Sequence, residues 1–148
     1  EKDTLINVKE IENVFIEEKA LKDSKYRKIN TYNKSNLLLK SEVEMYSGVY
    51  LGVSREYDNK GLLIKEKNFD LDFPFSLENL ISKMKNDYNI DLNKLSETGM
   101  EIYISRGVND NKPIYTIDYT LTAMSYRVFK IDGETGEVII DKVSYYGD

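Results

Sequence analysis

From residue 100 onward, apolar and polar positions alternate with a period of two. Met100, Ile102 and Ile104 alternate with Glu101, Tyr103 and Ser105; Tyr115, Ile117, Tyr119 and Leu121 alternate with Thr116, Asp118 and Thr120. Successive side chains of a strand point to opposite faces, so this spacing predicts strands. Two more follow over Tyr126 to Ile131 and Val138 to Val143, around a turn at Asp132 to Gly136, which makes a four-stranded meander. The composition of Gly107 to Pro113 predicts an exposed hairpin loop. Just upstream the period changes. Leu77, Leu80, Ile81, Met84 and Tyr88 fall at i, i+3, i+4, i+7 and i+11, one face of a helix. Phe73-Pro74-Phe75 interrupts the preceding pattern, Ser76 is a good N-cap, and Glu78 stands against the positive end of the helix dipole.

In the first half two stretches repeat each other at an offset of 25 residues: Tyr32-Asn33-Lys34-Ser35-Asn36-Leu37-Leu38-Leu39-Lys40 and Tyr57-Asp58-Asn59-Lys60-Gly61-Leu62-Leu63-Ile64-Lys65. Each is an aromatic strand end, a polar turn and an aliphatic strand start, the grammar of a β-hairpin. Strands are predicted near Tyr26 to Tyr32, Leu37 to Tyr46, Val49 to Tyr57 and Leu62 to Phe69, with turns at Asn33 to Asn36, Ser47-Gly48 and Asp58 to Gly61. This is a second four-stranded meander. In Glu1 to Lys22 the spacing of Val8, Ile11, Phe15 and Ala20 makes a ragged helical stripe, while Val14-Phe15-Ile16 reads as a strand; a short helix or loop followed by a strand is expected. The sum is an α+β fold, antiparallel β-meanders with one main helix packed on the sheet. At 148 residues the chain suits one domain, or two lobes over 1–72 and 73–148.

The chain has neither cysteine nor histidine. Disulfides, thiolate zinc sites, the usual general base and the Ser/His or Cys/His nucleophile pairs are thereby closed to it. Neither enzymatic activity nor a cofactor is expected. Glu66, Asp70 and Asp72 group before Pro74, and Asn109-Asp110-Asn111 stand together, but neither stretch has the alternate spacing, bend glycine and closing glutamate of a calcium loop. They read as a solvated strand edge and as turn chemistry, with no metal site. Net charge is −5, which argues against nucleic acid as a partner and is compatible with a basic protein. No window holds the 18 apolar residues of a membrane-spanning helix. The chain starts at Glu1 without methionine, which fits a removed leader and a cell-envelope or periplasmic location, with the cytoplasm as the alternative.

Tyrosine is in excess, at 12 residues. Its flat apolar body and polar tip suit half-buried sheet faces and protein interfaces alike. Tyr103, Tyr115 and Tyr119 are expected to pack under the helix or across strands. Tyr46, Tyr50, Tyr126, Tyr145 and Tyr146 lie near predicted turns or the terminus and are the partner-binding candidates.

Two stretches resemble known families. The helix, strands and hairpin Phe129-Lys130-Ile131-Asp132-Gly133-Glu134-Thr135-Gly136-Glu137-Val138 resemble a PepSY-like domain over Ser76 to Val143, with Ile131 where that family typically has valine. That resemblance implies an extracytoplasmic role in restraining or assisting a peptidase or envelope protein, with no catalytic residues. Tyr57-Asp58-Asn59-Lys60-Gly61-Leu62-Leu63-Ile64-Lys65-Glu66 resembles the hairpins of MORN-like antitoxin and immunity proteins of bacteria; the earlier copy puts Asn36 where the glycine would be. Asparagine tolerates the left-handed region, so the turn survives the change. The expected function is non-enzymatic protein binding, most concretely a bacterial immunity-type protein that occludes a toxin, with the PepSY-like role as the alternative.

Overall fold

The computed structural model describes residues 4–94 and 101–147; Met100, the expected start of a strand, lies outside them. The chain divides into two compact units, Glu1–Asp70 and Leu71–Asp148. Strand accounts for 59% of the described residues and helix for 9%, so the expected α+β class is corrected to a mainly-β fold with two antiparallel sheets and a single short helix.

The first unit is one six-stranded meander: β1 (Thr4–Ile11), β2 (Val14–Leu21), β3 (Tyr26–Asn33), β4 (Leu39–Tyr46), β5 (Val49–Tyr57) and β6 (Leu63–Asn68), each paired with the next. The helix or loop expected before residue 22 is instead the β1–β2 hairpin, turning at Glu12-Asn13 with Ile11 opposite Val14. The physical reason is that this unit has no second layer of its own among the described residues. Without one wet and one dry face the strands need not alternate, and the chance helical spacing of Val8, Ile11 and Phe15 carries no weight. Burial agrees: in the six strands Asn30, Tyr46 and Val49 are buried, and every residue of β1 is exposed.

The turns hold the register. Ser47 (φ 50°) and Gly48 (φ 89°) form a two-residue turn with both residues left-handed, as their composition leads one to expect. At Asn33–Leu38 the amide of Asn33 donates to Leu38 O, Leu37 donates to Asn33 O, and the Asn33 side chain accepts from Ser35. Asp132–Glu137 repeats this bond for bond: Asp132 to Glu137 O, Gly136 to Asp132 O, and Glu134 to the Asp132 carboxylate. The left-handed position of the first of these turns is therefore Leu37 (φ 58°), the counterpart of Gly136, and not Asn36. The turn is one residue longer than its repeat at Asp58–Leu62, where Gly61 (φ 81°) takes that role.

The second unit places α1 (Leu77–Tyr88) before a four-stranded sheet of β7 (Ile102–Asn109), β8 (Lys112–Thr122), β9 (Ser125–Asp132) and β10 (Val138–Tyr145), in the order β10-β9-β8-β7. Ser76 Oγ accepts the Asn79 amide at 3.2 Å, and at the other end Asn89 (φ 56°) is left-handed while Ile90 N–H reaches Met84 O. Leu80, Met84, Leu92, Tyr115, Ile117 and Phe129 are fully buried, and the Tyr88 ring meets Phe129 edge-on at 4.8 Å. The loop expected over Gly107 to Pro113 shrinks to Asp110-Asn111, both left-handed, so Gly107 and Val108 belong to β7 and Pro113 to β8. Tyr115 is buried as expected, but Tyr103 is exposed: it lies on the face of β7 opposite Ile104.

The hairpin after β9 is clasped to the segment before α1. Phe75 N–H donates to Gly133 O, Gly133 N–H donates to Pro113 O, and the Tyr115 hydroxyl donates to Phe75 O at 3.0 Å. A Cβ on Gly133 would sit 2.7 Å from the Phe73 ring and 2.8 Å from Pro113, and one on Gly136 would overlap the Phe75 ring. Gly136 also has φ +76°. The two glycines of this turn thus serve different needs: Gly133 close approach, Gly136 both approach and backbone.

Candidate functional site

Paired residues of adjacent antiparallel strands share a face, so the register of the first sheet aligns one row of side chains across it. Val8, Glu17, Asn30, Glu42, Arg55 and Glu66 stand side by side from β1 to β6. Glutamate occupies β2, β4 and β6, and a donor occupies each strand between. Asn30 Nδ2 donates to Glu17 Oε1 at 2.9 Å; Arg55 Nη1 donates to Glu42 Oε1 at 3.1 Å and its Nε to Glu66 Oε2 at 2.8 Å. Two phenols cap the acids from the next row. Tyr32 donates to Glu17 Oε1 at 3.4 Å and Tyr57 to Glu42 Oε1 at 3.1 Å. Lys19 lies 3.0 Å from Glu17, and Lys28 3.5 Å from Glu42.

These donors set the protonation of the row. The Asn30 amide, then Lys19, hold the Glu17 carboxyl below the usual carboxylate range, and the Arg55 guanidinium does the same for Glu42. Loss of hydration raises the Tyr57 phenol, helped by Glu42 beside it. Burial, then the hydrogen bond to Glu44, pushes the Tyr26 phenol up to about 12. Glu17 and Glu42 are therefore charged and Tyr26 and Tyr57 neutral at neutral pH. Three carboxylates, each paired with a lysine or arginine, and two phenols therefore line this face.

The partner-binding candidates separate. Tyr46, opposite Tyr26 at the end of β4, is 4% exposed and has no surface to offer. Tyr50 is 48% exposed and stacks on Phe69 with ring centres 5.1 Å apart. In the second unit the structure brings Tyr126 and Tyr146 together at 5.0 Å, with Tyr146 N–H bonded to Met124 O and Tyr145 next to it in the chain. Tyr145, Tyr146 and Met124 are exposed, Tyr126 half-buried.

Of the residues read as a solvated edge, Glu66 belongs to the row, and Asp70 closes the β5 bulge by accepting the Gly52 amide at 2.8 Å. Among the described residues no group of three or more carboxylates is placed to hold a metal ion. Sequence reading overlooked Glu17, Asn30, Glu42 and Arg55, although the repeat contains them: Glu17 and Glu42, Asn30 and Arg55, Tyr32 and Tyr57 are each 25 residues apart. Extending the repeat upstream from its turns would have found them. No known family, curated protein or solved structure matches the chain.

Proposed function

We propose that the chain is a non-enzymatic protein-binding module of the immunity type, which occludes a toxin by laying the Glu17–Glu66 face of the first sheet against a basic surface. The observation that carries this reading is the row itself: three carboxylates and two phenols held in place across strands that, among the described residues, have no second layer of their own unit over them. Rigid, prepaid hydrogen bonding lowers the ordering cost of binding, and net negative charge speeds encounter with a basic partner. The repeated hairpins at 32–40 and 57–65, which resemble those of MORN-like immunity proteins, point the same way.

A second reading draws on the other unit. Its capped helix and the Asp132–Glu137 hairpin clasped to Phe73 and Phe75 favour a PepSY-like extracytoplasmic role in restraining a peptidase or assisting an envelope protein.

The deciding experiment captures partners from the producing organism with the tagged chain at low and high salt, and repeats the capture with Glu66→Lys at the exposed end of the row. One stoichiometric, salt-sensitive toxin, lost with Glu66→Lys and neutralised on co-expression, is the expected result. A peptidase or envelope protein retained by Glu66→Lys moves the assignment to the second reading. No saturable partner overturns both.

A further inference from the structure

A meander has two edges, and those of the first sheet differ. β6 has six residues, a register irregularity against β5, and Lys65, Glu66 and Lys67 in its centre, the usual devices that keep edges from pairing. β1 has none of these defences apart from Lys9 and Glu10. It pairs with β2 in unbroken register over eight residues and exposes Leu5, Ile6, Val8 and Ile11, each about half or more exposed. In the second sheet, β10 carries an irregularity with Asp141 and Lys142, and β7 holds Arg106 and Gly107.

The phase of the ladder shows which backbone groups of β1 are unused. Lys34 N–H bonds Asn13 O at 2.9 Å, so the odd-numbered residues of β2 face β3 and its even-numbered ones face β1. Leu5, Asn7, Lys9 and Ile11, opposite Ala20, Glu18, Ile16 and Val14, therefore bond to β2. Ile6, Val8 and Glu10 turn their N–H and C=O groups outward.

We propose that this edge pairs with itself: two copies of the chain join antiparallel through β1, Val8 opposite Val8, into one continuous twelve-stranded sheet. A two-fold axis normal to the sheet matches each face with itself and places outward residues opposite outward residues, so the free donors and acceptors meet. Centring on Val8 and centring on Asn7 each pair seven residues of β1; Val8 at the axis puts Leu5 opposite Ile11 and Ile6 opposite Glu10. Charge decides between the two. Glu10 of the second copy enters the row of Ile6, Lys19 and Lys28, and Lys9 of the second copy enters the row of Asn7 and Glu18. A shift to Lys9 at the axis would set lysine against lysine; a shift to Asn7 would put Lys9 in the row of Leu5, Ala20 and Arg27, toward a like charge.

Sedimentation velocity over a concentration series tests this on the chain, with circular dichroism to verify folding. The wild type should pass from 17.2 kDa to twice that mass. Val8→Pro removes an outward N–H that β2 does not use, so it should abolish the dimer while leaving the spectrum and melting temperature unchanged. Val8→Lys and Val8→Glu should each be monomeric alone, and mixing them should restore a dimer containing one of each. A wild type that stays monomeric throughout, or a dimer that survives both Val8→Pro and Val8→Lys, overturns the proposal.

Discussion

Tyr57 gives its hydroxyl hydrogen to Glu42 across the β4–β5 pair at 3.1 Å, and 25 residues earlier Tyr32 does the same for Glu17 across β2–β3. The repeat is therefore more than turn grammar. It reproduces an acid, the phenol that caps it and the donor beside it, so each copy satisfies its own carboxylate and hands the next strand a neighbour of opposite character.

Glu42 sits at the centre of this arrangement, with Arg55, Tyr57 and Lys28 around it. Replacing it with alanine takes the acceptor from the Tyr57 hydroxyl and from Arg55 Nη1, while Arg55 keeps Glu66 and Lys28 keeps Glu44, and should cost about 2 kcal/mol in urea unfolding. Glu66→Ala, at the exposed end of the row, should cost under about 1 kcal/mol. Equal losses at both positions would mean that the row contributes no more than ordinary surface pairs.

Leu37 is 65% exposed and left-handed at φ 58°, a conformation that costs a side chain about 1–2 kcal/mol. Leu37→Gly should raise stability by up to about 1 kcal/mol, since glycine's own entropy offsets part of the relief. Asn36→Gly should not raise it. A gain at 36 and a loss at 37 in thermal melts would place the left-handed residue one position earlier.

Gly133→Ala and Gly136→Ala should both destabilise the second unit, by about 1–3 kcal/mol through overpacking against Phe73, Pro113 and Phe75. Gly136→Ala should be the worse of the two because its φ of +76° adds backbone strain. A Gly133→Ala protein that melts at the wild-type temperature would show that the clasp can yield.

Stability should fall at both ends of the pH scale. Glu17, Glu42, Asp132 and Asp141 titrate below their ordinary values: Asn30 and Arg55 lower the first two, the Thr135 and Glu134 amides lower Asp132, and Arg127 lowers Asp141. Their contribution is complete above the unfolded carboxylate range near about 4 and is lost as pH falls through the depressed folded values. Tyr26 runs the other way. Folding favours its neutral form, so its contribution is whole below about 10 and disappears as pH rises towards about 12. A melting-temperature profile with a plateau between these limits, and late ionisation of the Tyr26 and Tyr57 phenols in a spectrophotometric titration, are the expected results. A melting temperature that does not fall below pH 4 would contradict the carboxylate account.

Where local chemistry decides conformation, the sequence was readable. Ser76 must cap, the apolar face from Leu77 to Tyr88 must be helical, and Ser47-Gly48 must turn, because each rests on bonds within a few residues. It misled where a second layer was assumed. The segment up to Lys22 reads as a short helix or loop before a strand because alternation is produced by a dry face, and among the described residues the first unit gives β1 none. Gly107 and Pro113 pointed to a loop, but the left-handed pair Asp110-Asn111 needs two residues to reverse the chain and frees the rest for strands. Nearness to turns marks the partner-binding tyrosines in the sequence but cannot separate buried Tyr46 from exposed Tyr145. The Glu17–Glu66 row depends on cross-strand register, which hairpin composition does not fix.

The row also bears on how such a protein changes size. A copy of the 25-residue element adds two strands, about 10 Å of width, and arrives with its own acid, donor and phenol. Duplication or deletion of one element would alter the reach of the surface in fixed steps, because no shared interior has to be refilled. Length, in this architecture, is a quantity that descent can adjust one hairpin at a time.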